Sequence, residues 1–213
     1  MSGGPLIEDD IVVGNRFDKH GSGHPVVRRL MEGFDRGMFG MLAGIPKPKT
    51  ILEVGCGEGH VTDKLARFFP GARVLGTDFS TAIIDIAKRE HPDREFEVCS
   101  VYEAARLGTW DLVVACEVFE HLDDPAKALE VVSTISTGHV LVTVPREPLW
   151  RALNMLRGQY WSAWGNTDGH VQHWSRGAMV KFVSTRLDVV DTRSPLPWTQ
   201  VLARSRSAAG ARA

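Results

Sequence analysis

Glu117, Glu120 and His121 place two carboxylates and an imidazole within five positions of the chain. If this stretch begins a helical turn, the spacing i, i+3 and i+4 puts the three side chains on one face. Carboxylates and imidazoles are ligands of divalent cations, so one chemistry open to the group is metal binding. The alternative is that His121 only orders a loop, and the pattern alone does not decide between the two.

A cation held in this way would suit a substrate with neighbouring hydroxyls. It can chelate two adjacent oxygen atoms and lower the pKa of the hydroxyl that reacts. A vicinal diol or a catechol has the required arrangement.

A second candidate site is the glycine-rich turn at Gly55, Cys56 and Gly57, which follows a short apolar segment. Only glycine permits the dihedral angles and the close backbone approach that ligand binding needs there. A dinucleotide oxidoreductase would prefer a third glycine where this chain has His60, which weakens that interpretation. Asp78 ends the next apolar run and suits two hydrogen bonds to the vicinal hydroxyls of a ribose, the alternative being a helix cap.

The elements that position these residues alternate between short apolar runs and amphipathic segments, which is typical of a parallel sheet with crossover helices. The predicted strands and helices cover the following ranges. The strands are 50–54, 73–78, 96–100, 111–116, 138–144, 187–192 and 199–203, the last two forming an antiparallel hairpin; the helices are 25–42, 60–69, 81–90, 125–136 and 175–184.

The chain is predicted to form one domain over residues 1–204, followed by a disordered tail at 205–213. Within it, the amphipathic helix 25–42 is a candidate lid over the ligand cleft. The segment 145–174 is a candidate substrate-side insertion, with tryptophans that would serve either as a lid or as core anchors: Trp150, Trp161, Trp164 and Trp174.

Composition limits the classes of partner. The 213 residues have a formal net charge of −1 and dispersed basic residues, which disfavours a nucleic acid. We see no apolar run of spanning length and no signal peptide, so we expect no membrane contact and a cytoplasmic location. The three cysteines, Cys56, Cys99 and Cys116, are expected to be reduced and structural.

The segments ILEVGCGEGH, GTDFS and DLVVACEVFEHLDDP resemble, in type and order, the motifs of class I methyltransferases that use S-adenosylmethionine (SAM). The resemblance covers about residues 15–204. It implies a Rossmann-like α/β fold: a seven-stranded, mostly parallel sheet of order 3-2-1-4-5-7-6, with helices on both faces and the last strand antiparallel.

By the same resemblance, Glu53, Gly55 and Gly57 hold the methionine part of SAM, Asp78 binds its ribose and Phe79 lies against the adenine. Ser100 stands where related enzymes often have an acidic residue that contacts the adenine amine. The full set of implied cofactor contacts is Glu53, Gly55, Cys56, Gly57, Asp78, Phe79, Ser100, Val101 and Glu117.

The E-x-x-E-H pattern, followed downstream by His170 and His173, resembles the small-RNA 3′-terminal 2′-O-methyltransferases. That resemblance implies a metal held by Glu117, Glu120, His121 and His170. His121 and His170 are then catalytic, and His173 either acts as a base or substrate contact or caps the following helix. Some ubiquinone-pathway O-methyltransferases share the E-x-x-E-H part.

These observations favour a SAM-dependent O-methyltransferase acting on a small metabolite such as a sugar, nucleoside or phenolic diol, with a divalent metal (Mg, Mn or Zn) as a secondary expectation. Two alternatives stay open, namely a metal-independent N- or C-methyltransferase and a non-catalytic SAM-binding regulator. The oligomeric state is left open, a homodimer being one possibility.

Overall fold

The structure is a computed structural model that describes residues 25–147 and 171–206, together with the backbone of residues 6–8 and 11–13. Its strands are β1 (Leu6–Glu8), β2 (Ile11–Val13), β3 (Thr50–Val54), β4 (Arg73–Asp78), β5 (Glu95–Val98), β6 (Trp110–Cys116), β7 (Ser136–Pro145), β8 (Asp188–Arg193) and β9 (Trp198–Arg204). Its helices are α1 (Pro25–Leu42), α2 (His60–Phe68), α3 (Thr81–Glu90), α4 (Pro125–Ile135) and α5 (Arg176–Val183), with a 3-10 helix at Val101–Leu107. None of the described helices combines the length and apolar character that a membrane crossing requires.

Seven strands form one sheet in the order β5-β4-β3-β6-β7-β9-β8, and β1 and β2 form a separate antiparallel pair. The pairs from β5 to β7 are parallel, whereas β9 runs antiparallel to both β7 and β8. Counted from β3, this is the predicted order 3-2-1-4-5-7-6, so the predicted fold is confirmed.

Side chains of the central strands pack alternately into two hydrophobic layers, one on each face of the sheet, because successive residues of a strand point to opposite faces. Leu112 and Val114 face the layer that contains α1 and α2. Val113 and Ala115 face the opposite layer, which contains α4 and α5. The sheet therefore carries helices on both faces, as predicted.

Side-chain caps account for several helix starts. Ser80 accepts a hydrogen bond from the Ile83 amide at the start of α3, and Asp124 accepts one from the Lys127 amide at the start of α4. These caps satisfy backbone donors that a helix leaves unpaired in its first turn. Asp124 and Pro125 confirm the predicted start of α4.

The structure corrects the prediction at the end of the third core strand. Ser100 does not belong to β5, which ends at Val98. Its hydroxyl instead accepts a hydrogen bond from the Tyr102 amide and caps the 3-10 helix, which the sequence pattern did not predict. A side chain that bonds to the backbone two residues ahead competes with strand extension.

Helix α1 has the predicted bounds, and its C-terminal half is part of the core. Phe34, Met38, Met41 and Leu42 are buried there, while Val26 at the other end is 60% exposed. Gly37 and Gly40 leave room for Gln200 and Arg193 of the β8–β9 hairpin, and the buried Gln200 side chain donates to the Phe34 carbonyl oxygen at 3.0 Å. The role of α1 as a lid stays a prediction.

Candidate active site

The candidate site lies at the carboxyl edge of the sheet, next to β3. From β3 the chain first adds β4 and β5 on one side of the sheet, and it then crosses back to add β6 and β7 on the other side. Strand order reverses between β3 and β6, and in open α/β sheets ligands bind at this switch point. Gly55 follows β3, Asp78 ends β4 and Glu117 follows β6, so three predicted site residues meet at this edge.

Two glycines of the turn after β3 have positive φ angles for different reasons. At Gly55, with φ 67°, a Cβ atom would come within 2.5 Å of Val118 Cγ2, so the glycine allows the turn after β6 to pack closely. At Gly57, with φ 54°, a Cβ atom would meet nothing within 4 Å. The missing side chain at Gly57 therefore keeps space open, which is what a ligand passing close to the backbone requires.

The Asp78 carboxylate is tied to this glycine turn. Its Oδ2 accepts a hydrogen bond from the Gly57 amide at 3.2 Å, and its Oδ1 accepts one from the Ser80 amide at 3.1 Å. Burial raises the pKa of Asp78, and these backbone donors counteract the rise. The adjacent Phe79 is 42% exposed, which leaves its ring available to a ligand at this edge.

Glu53 lies beneath the turn and is only 1% exposed. Its carboxylate accepts a hydrogen bond from the Thr62 hydroxyl of α2. Desolvation by burial, which outweighs this hydrogen bond, raises the pKa of Glu53 to about 8. Burial therefore favours the protonated form of Glu53.

The cysteines behave as buried structural residues. Cys56, Cys99 and Cys116 are free thiols, and burial is the largest cause of the raised pKa of each. Cys56 contributes its backbone to the turn, since its amide donates to the Thr77 carbonyl oxygen at 2.8 Å. Val101 is also buried, so its side chain packs in the core at the start of the 3-10 helix.

Glu117 adopts a left-handed backbone conformation, with φ 59°, directly after β6. Trp198 Nε1 donates a hydrogen bond to its Oε2 at 2.8 Å, and the Trp198 ring packs edge-on against Phe34 of α1 at 5.1 Å between centroids. The carboxylate thus has an orientation set by β9 and α1. A left-handed conformation is uncommon outside glycine and marks functional sites when the surroundings enforce it.

The helical turn that would align Glu117, Glu120 and His121 is not formed. The chain makes a turn in which the His121 amide donates to the Val118 carbonyl oxygen at 3.0 Å, and Glu117 precedes it in the left-handed conformation. Glu120 is buried and His121 is exposed. Within the described part of the chain, these three residues do not form a group whose ligand atoms all lie within 4.8 Å of one another.

His170 lies outside the described residues, so the four-ligand metal site stays a prediction. The residues that follow it reach the same turn, since the amides of Val171 and Gln172 both donate to the Glu120 carbonyl oxygen at 2.9 and 3.0 Å. The fold therefore brings the chain after His170 next to Glu120.

His173 is exposed, and its Nδ1 lies 4.0 Å from Glu147 Oε1. The Glu147 amide donates to the Trp174 carbonyl oxygen at 2.9 Å, which joins the two ends of the segment 148–170. Trp174 packs on Phe182 of α5 with 4.8 Å between ring centroids, as a core anchor would. Trp150, Trp161 and Trp164 lie outside the described residues.

A family model described as Methyltransferase domain matches residues 27–184, more than half of the chain. The chain belongs to this methyltransferase family. Membership confirms the predictions of a class I SAM-dependent methyltransferase, of an enzyme and of SAM as its cofactor.

Two curated relatives of this methyltransferase are O-methyltransferases by name. The ubiquinone biosynthesis O-methyltransferase of Acinetobacter baylyi is 36% identical over 120 residues, which cover 51% of this chain and 48% of that protein. The malonyl-acyl-carrier-protein O-methyltransferase of Bacillus cytotoxicus is 37% identical over 76 residues, which cover 35% and 27%. The matched region thus spans less than half the length of either relative.

Solved structures confirm the fold of the methyltransferase. Magnesium protoporphyrin IX methyltransferase from Synechocystis PCC 6803, solved with bound SAH, superposes with a TM-score of 0.65 at 15% identity, covering 86% of this chain and 89% of that one. The N-methyltransferase NodS from Bradyrhizobium japonicum WM9, in complex with S-adenosyl-l-homocysteine, gives 0.62 at 17%, covering 90% and 94%. At such identities the likeness concerns the fold alone.

Trp198 is the site residue that sequence reasoning missed. The predicted sheet order contained the signal, because an antiparallel last strand beside β7 must start at the carboxyl edge. Trp198, the first residue of β9, pairs in register with Pro145 at the end of β7. A polar group on that residue therefore lies at the same edge of the sheet as the candidate site, where Trp198 Nε1 reaches Glu117.

Proposed function

We propose that this methyltransferase transfers a methyl group from SAM to a hydroxyl of a small metabolite such as a sugar, a nucleoside or a phenolic diol. The observation that carries the SAM-binding part of the proposal is the Asp78 carboxylate, which lies between the Gly57 and Ser80 amides beside the open space at Gly57. The names of the two relatives described above favour oxygen as the atom that receives the methyl group.

The residues present fit SAM. Asp78 offers acceptor oxygens to the ribose hydroxyls, Gly57 leaves room beside the turn, and Phe79 offers an exposed ring to the adenine. SAM supplies a methyl group on a positively charged sulfur, which is transferred by in-line displacement. The protein then has to orient the acceptor oxygen, exclude water and accept the hydroxyl proton.

Three histidines are our candidates for handling that proton: His121, His170 and His173. His121 and His173 are exposed on either side of the segment 148–170, and His173 lies near the Glu147 carboxylate. A carboxylate near an imidazole can orient the ring and stabilise its protonated form. His173 is exposed and has such a neighbour in Glu147, whose Oε1 lies 4.0 Å from its Nδ1.

Metal assistance is the secondary part of the proposal. A divalent cation would lower the pKa of the acceptor hydroxyl, with Glu117, Glu120, His121 and His170 as the residues to hold it. In the described part of the chain, the candidate ligand atoms of Glu117, Glu120 and His121 do not all lie within 4.8 Å of one another. Glu117 accepts a hydrogen bond from Trp198, and Glu120 is buried. This observation favours the metal-independent N- or C-methyltransferase as the second candidate. The non-catalytic regulator is no longer an open alternative, because the family to which the chain belongs is one of enzymes. A small-molecule partner and a cytoplasmic location are part of our proposal.

Calorimetric titration of SAM into the Asp78→Ala variant tests the cofactor site. We expect affinity to fall about tenfold to a hundredfold, because hydrogen bonds to a charged group contribute about 1.5–3 kcal/mol. Asp111→Ala is the matched control, since the Asp111 carboxylate also accepts from two backbone amides, those of Lys49 and Thr50, at the opposite edge of the sheet. Equal SAM affinity in the two variants would contradict the site.

Turnover on a panel of diols, catechols, amines and carbon acids separates the two candidate functions. If the enzyme methylates a hydroxyl acceptor, EDTA abolishes this activity and Mg²⁺, Mn²⁺ or Zn²⁺ restores it, the result supports the metal-assisted O-methyltransferase. Methylation of oxygen despite EDTA removes the metal from the proposal, and methylation of nitrogen or carbon selects the second candidate. SAM binding without turnover on any acceptor of the panel would contradict both candidate functions.

A further inference from the structure

His60, Glu90 and His91 form a cluster of ligand atoms that has no part in the site described above. His60 begins α2, Glu90 ends α3, and His91 directly follows it. A ring nitrogen of each histidine and a carboxylate oxygen of Glu90 all lie within 4.8 Å of one another. Among the described residues, this is the one group of three or more histidine, cysteine or acidic side chains that meets this distance.

The distances are close to those around a bound cation. In a tetrahedral Zn²⁺ site with bonds of 2.0–2.1 Å, ligand atoms are separated by about 3.4 Å. His60 Nε2 lies 3.8 Å from Glu90 Oε2, and the two imidazole rings are nearly perpendicular, at 89°, with 5.4 Å between centroids. Since no two of the three atoms are more than 4.8 Å apart, each pair would have to approach by at most about 1.4 Å to match such a site.

His91 supplies a second, independent indication of a ligand. Its Nε2 is buried and has no hydrogen-bond partner among the residues that the structure describes. Buried polar atoms are nearly always paired, so an exception calls for an explanation such as an ion. The ring lies beside the Cα of Gly59 and the Phe96 ring, neither of which offers it a polar atom.

The electrostatic surroundings allow a cation. The C-terminal end of α3 carries the negative end of the helix dipole, which favours positive charge. Arg94, whose amide donates to the His91 carbonyl oxygen, directs its guanidinium to Asp63 at 3.0 Å and leaves Glu90 to the cluster. Lys88 and Arg89 lie on the same last turn and oppose binding, so we expect an affinity below that of a site without such neighbours.

We propose that His60, Glu90 and His91 bind a divalent transition-metal ion that joins the start of α2 to the end of α3. Two imidazoles and one carboxylate suit Zn²⁺, with Ni²⁺ and Cu²⁺ also able to use such donors. Three protein ligands leave a fourth position for water. His60 begins α2 directly after the glycine turn and Gly59. The ion would therefore restrain the start of α2 and, with it, the turn proposed to bind SAM.

The test uses the full chain and Zn²⁺ alone, without SAM. Zn²⁺ is titrated by calorimetry, and long-range ¹⁵N correlation spectra record the histidine rings. We expect one ion per chain, shifts of the His60 and His91 rings, and a higher unfolding temperature, because a ligand that binds only the folded state stabilises it. His60→Gln and His91→Gln should each weaken binding about tenfold or more.

Two further variants keep the outcome interpretable. Glu90→Gln changes a half-exposed side chain and should weaken Zn²⁺ binding without risk to folding. His139→Gln removes a histidine outside the cluster and should leave binding unchanged. No Zn²⁺ binding, binding unaffected by the three ligand variants, or binding lost only in His121→Gln would each overturn the proposal, and the last would assign the ion to the site near Glu117 instead.

Discussion

At the scale of single residues, the candidate cofactor site contains two glycines with different surroundings and a buried carboxyl group. Gly57 has a positive φ and open space where a Cβ atom would stand, whereas Gly55 has a positive φ and no space. Glu53 keeps a carboxyl group buried beneath the same turn. Backbone conformation, free volume and protonation at these residues can each be tested separately.

Gly57→Ala tests whether the open space belongs to SAM. The methyl group would project into the cleft, so we expect SAM affinity in calorimetry to fall at least about tenfold. Gly71→Ala is the matched control, because Gly71 also has a positive φ and no atom within 4 Å of a Cβ atom. Both variants should lose similar stability, about 1 kcal/mol, to backbone strain. Equal SAM affinity in the two would show that the space at Gly57 is not used.

Glu53→Gln tests the raised pKa of Glu53 through the pH dependence of stability. The folded protein keeps this proton up to about pH 8, whereas the unfolded chain loses it near 4.5. The unfolded state thus binds fewer protons in this window, and the free energy of unfolding falls as pH rises, by at most about 1.4 kcal/mol per unit. Glutamine has no proton to lose in this pH range, so the variant lacks this contribution to the pH dependence of the free energy of unfolding.

Urea unfolding of the SAM-free protein at pH 5, 6, 7 and 8 measures the effect. Relative to the variant, wild type should be most stable at pH 5 and should lose that advantage toward pH 8. Parallel pH profiles for the two proteins would mean that Glu53 is ionised in the folded state.

At the scale of elements, α1 is packed against the β8–β9 hairpin through its glycines. Gly37 lies against Gln200 and Pro195, and Gly40 lies against Arg193. Gly33, one turn earlier, has nothing within 4 Å of a Cβ atom. The glycines of one helix therefore have different roles, although the sequence presents them alike.

Gly33→Ala and Gly37→Ala should change stability in opposite directions. Alanine at position 33 should raise the free energy of unfolding by about 0.5–1 kcal/mol, because it removes the entropy cost of glycine within a helix. At position 37 the added carbon would displace the buried Gln200 side chain and lower stability by about 1–3 kcal/mol. Urea unfolding of both variants checks this, and a shift of the same sign in both would contradict the close approach of helix and hairpin.

At the scale of the whole molecule, the sheet brings residues from distant parts of the chain to one edge. Phe34 contacts Trp198, and Trp198 holds the Glu117 carboxylate, so a helix before the sheet and its last strand both orient a side chain after β6. Trp198 thus links the packing of α1 to the orientation of the Glu117 carboxylate at the candidate site.

Trp198→Phe removes the indole donor and keeps an aromatic ring against Phe34. We expect SAM affinity to fall about tenfold, since a hydrogen bond to a charged acceptor is lost where Glu117 is predicted to contact the cofactor. Trp110→Phe is the control, because Trp110 is equally buried and its Nε1 has no partner among the described residues. If both variants bind SAM with equal affinity in calorimetry, the hydrogen bond from Trp198 to Glu117 makes no contribution to SAM binding.

The sequence predicted the bounds of α1, α3, β3 and β4, because apolar periodicity and side-chain caps are local signals. The strand order is not a local signal and was implied by the resemblance to class I methyltransferases. The sequence pattern missed the 3-10 helix after Ser100, whose hydroxyl accepts a hydrogen bond from the Tyr102 amide and caps the helix. It also suggested a helical turn for Glu117, Glu120 and His121, since a left-handed conformation at a glutamate leaves no trace in residue spacing. That conformation follows from tertiary contacts, Trp198 among them.

The hydrogen bond between the Glu147 amide and the Trp174 carbonyl oxygen has a consequence for how such enzymes diversify. It closes the segment 148–170 at its base, and the adjoining Arg146 amide is anchored to the Pro197 carbonyl oxygen at 2.8 Å. Because the cost of closing a longer loop grows only slowly with its length, we expect the sheet to accept a different segment between these joined positions. If residues 145–174 form the substrate side, as we predict, such an exchange would change acceptor preference and leave SAM binding unchanged.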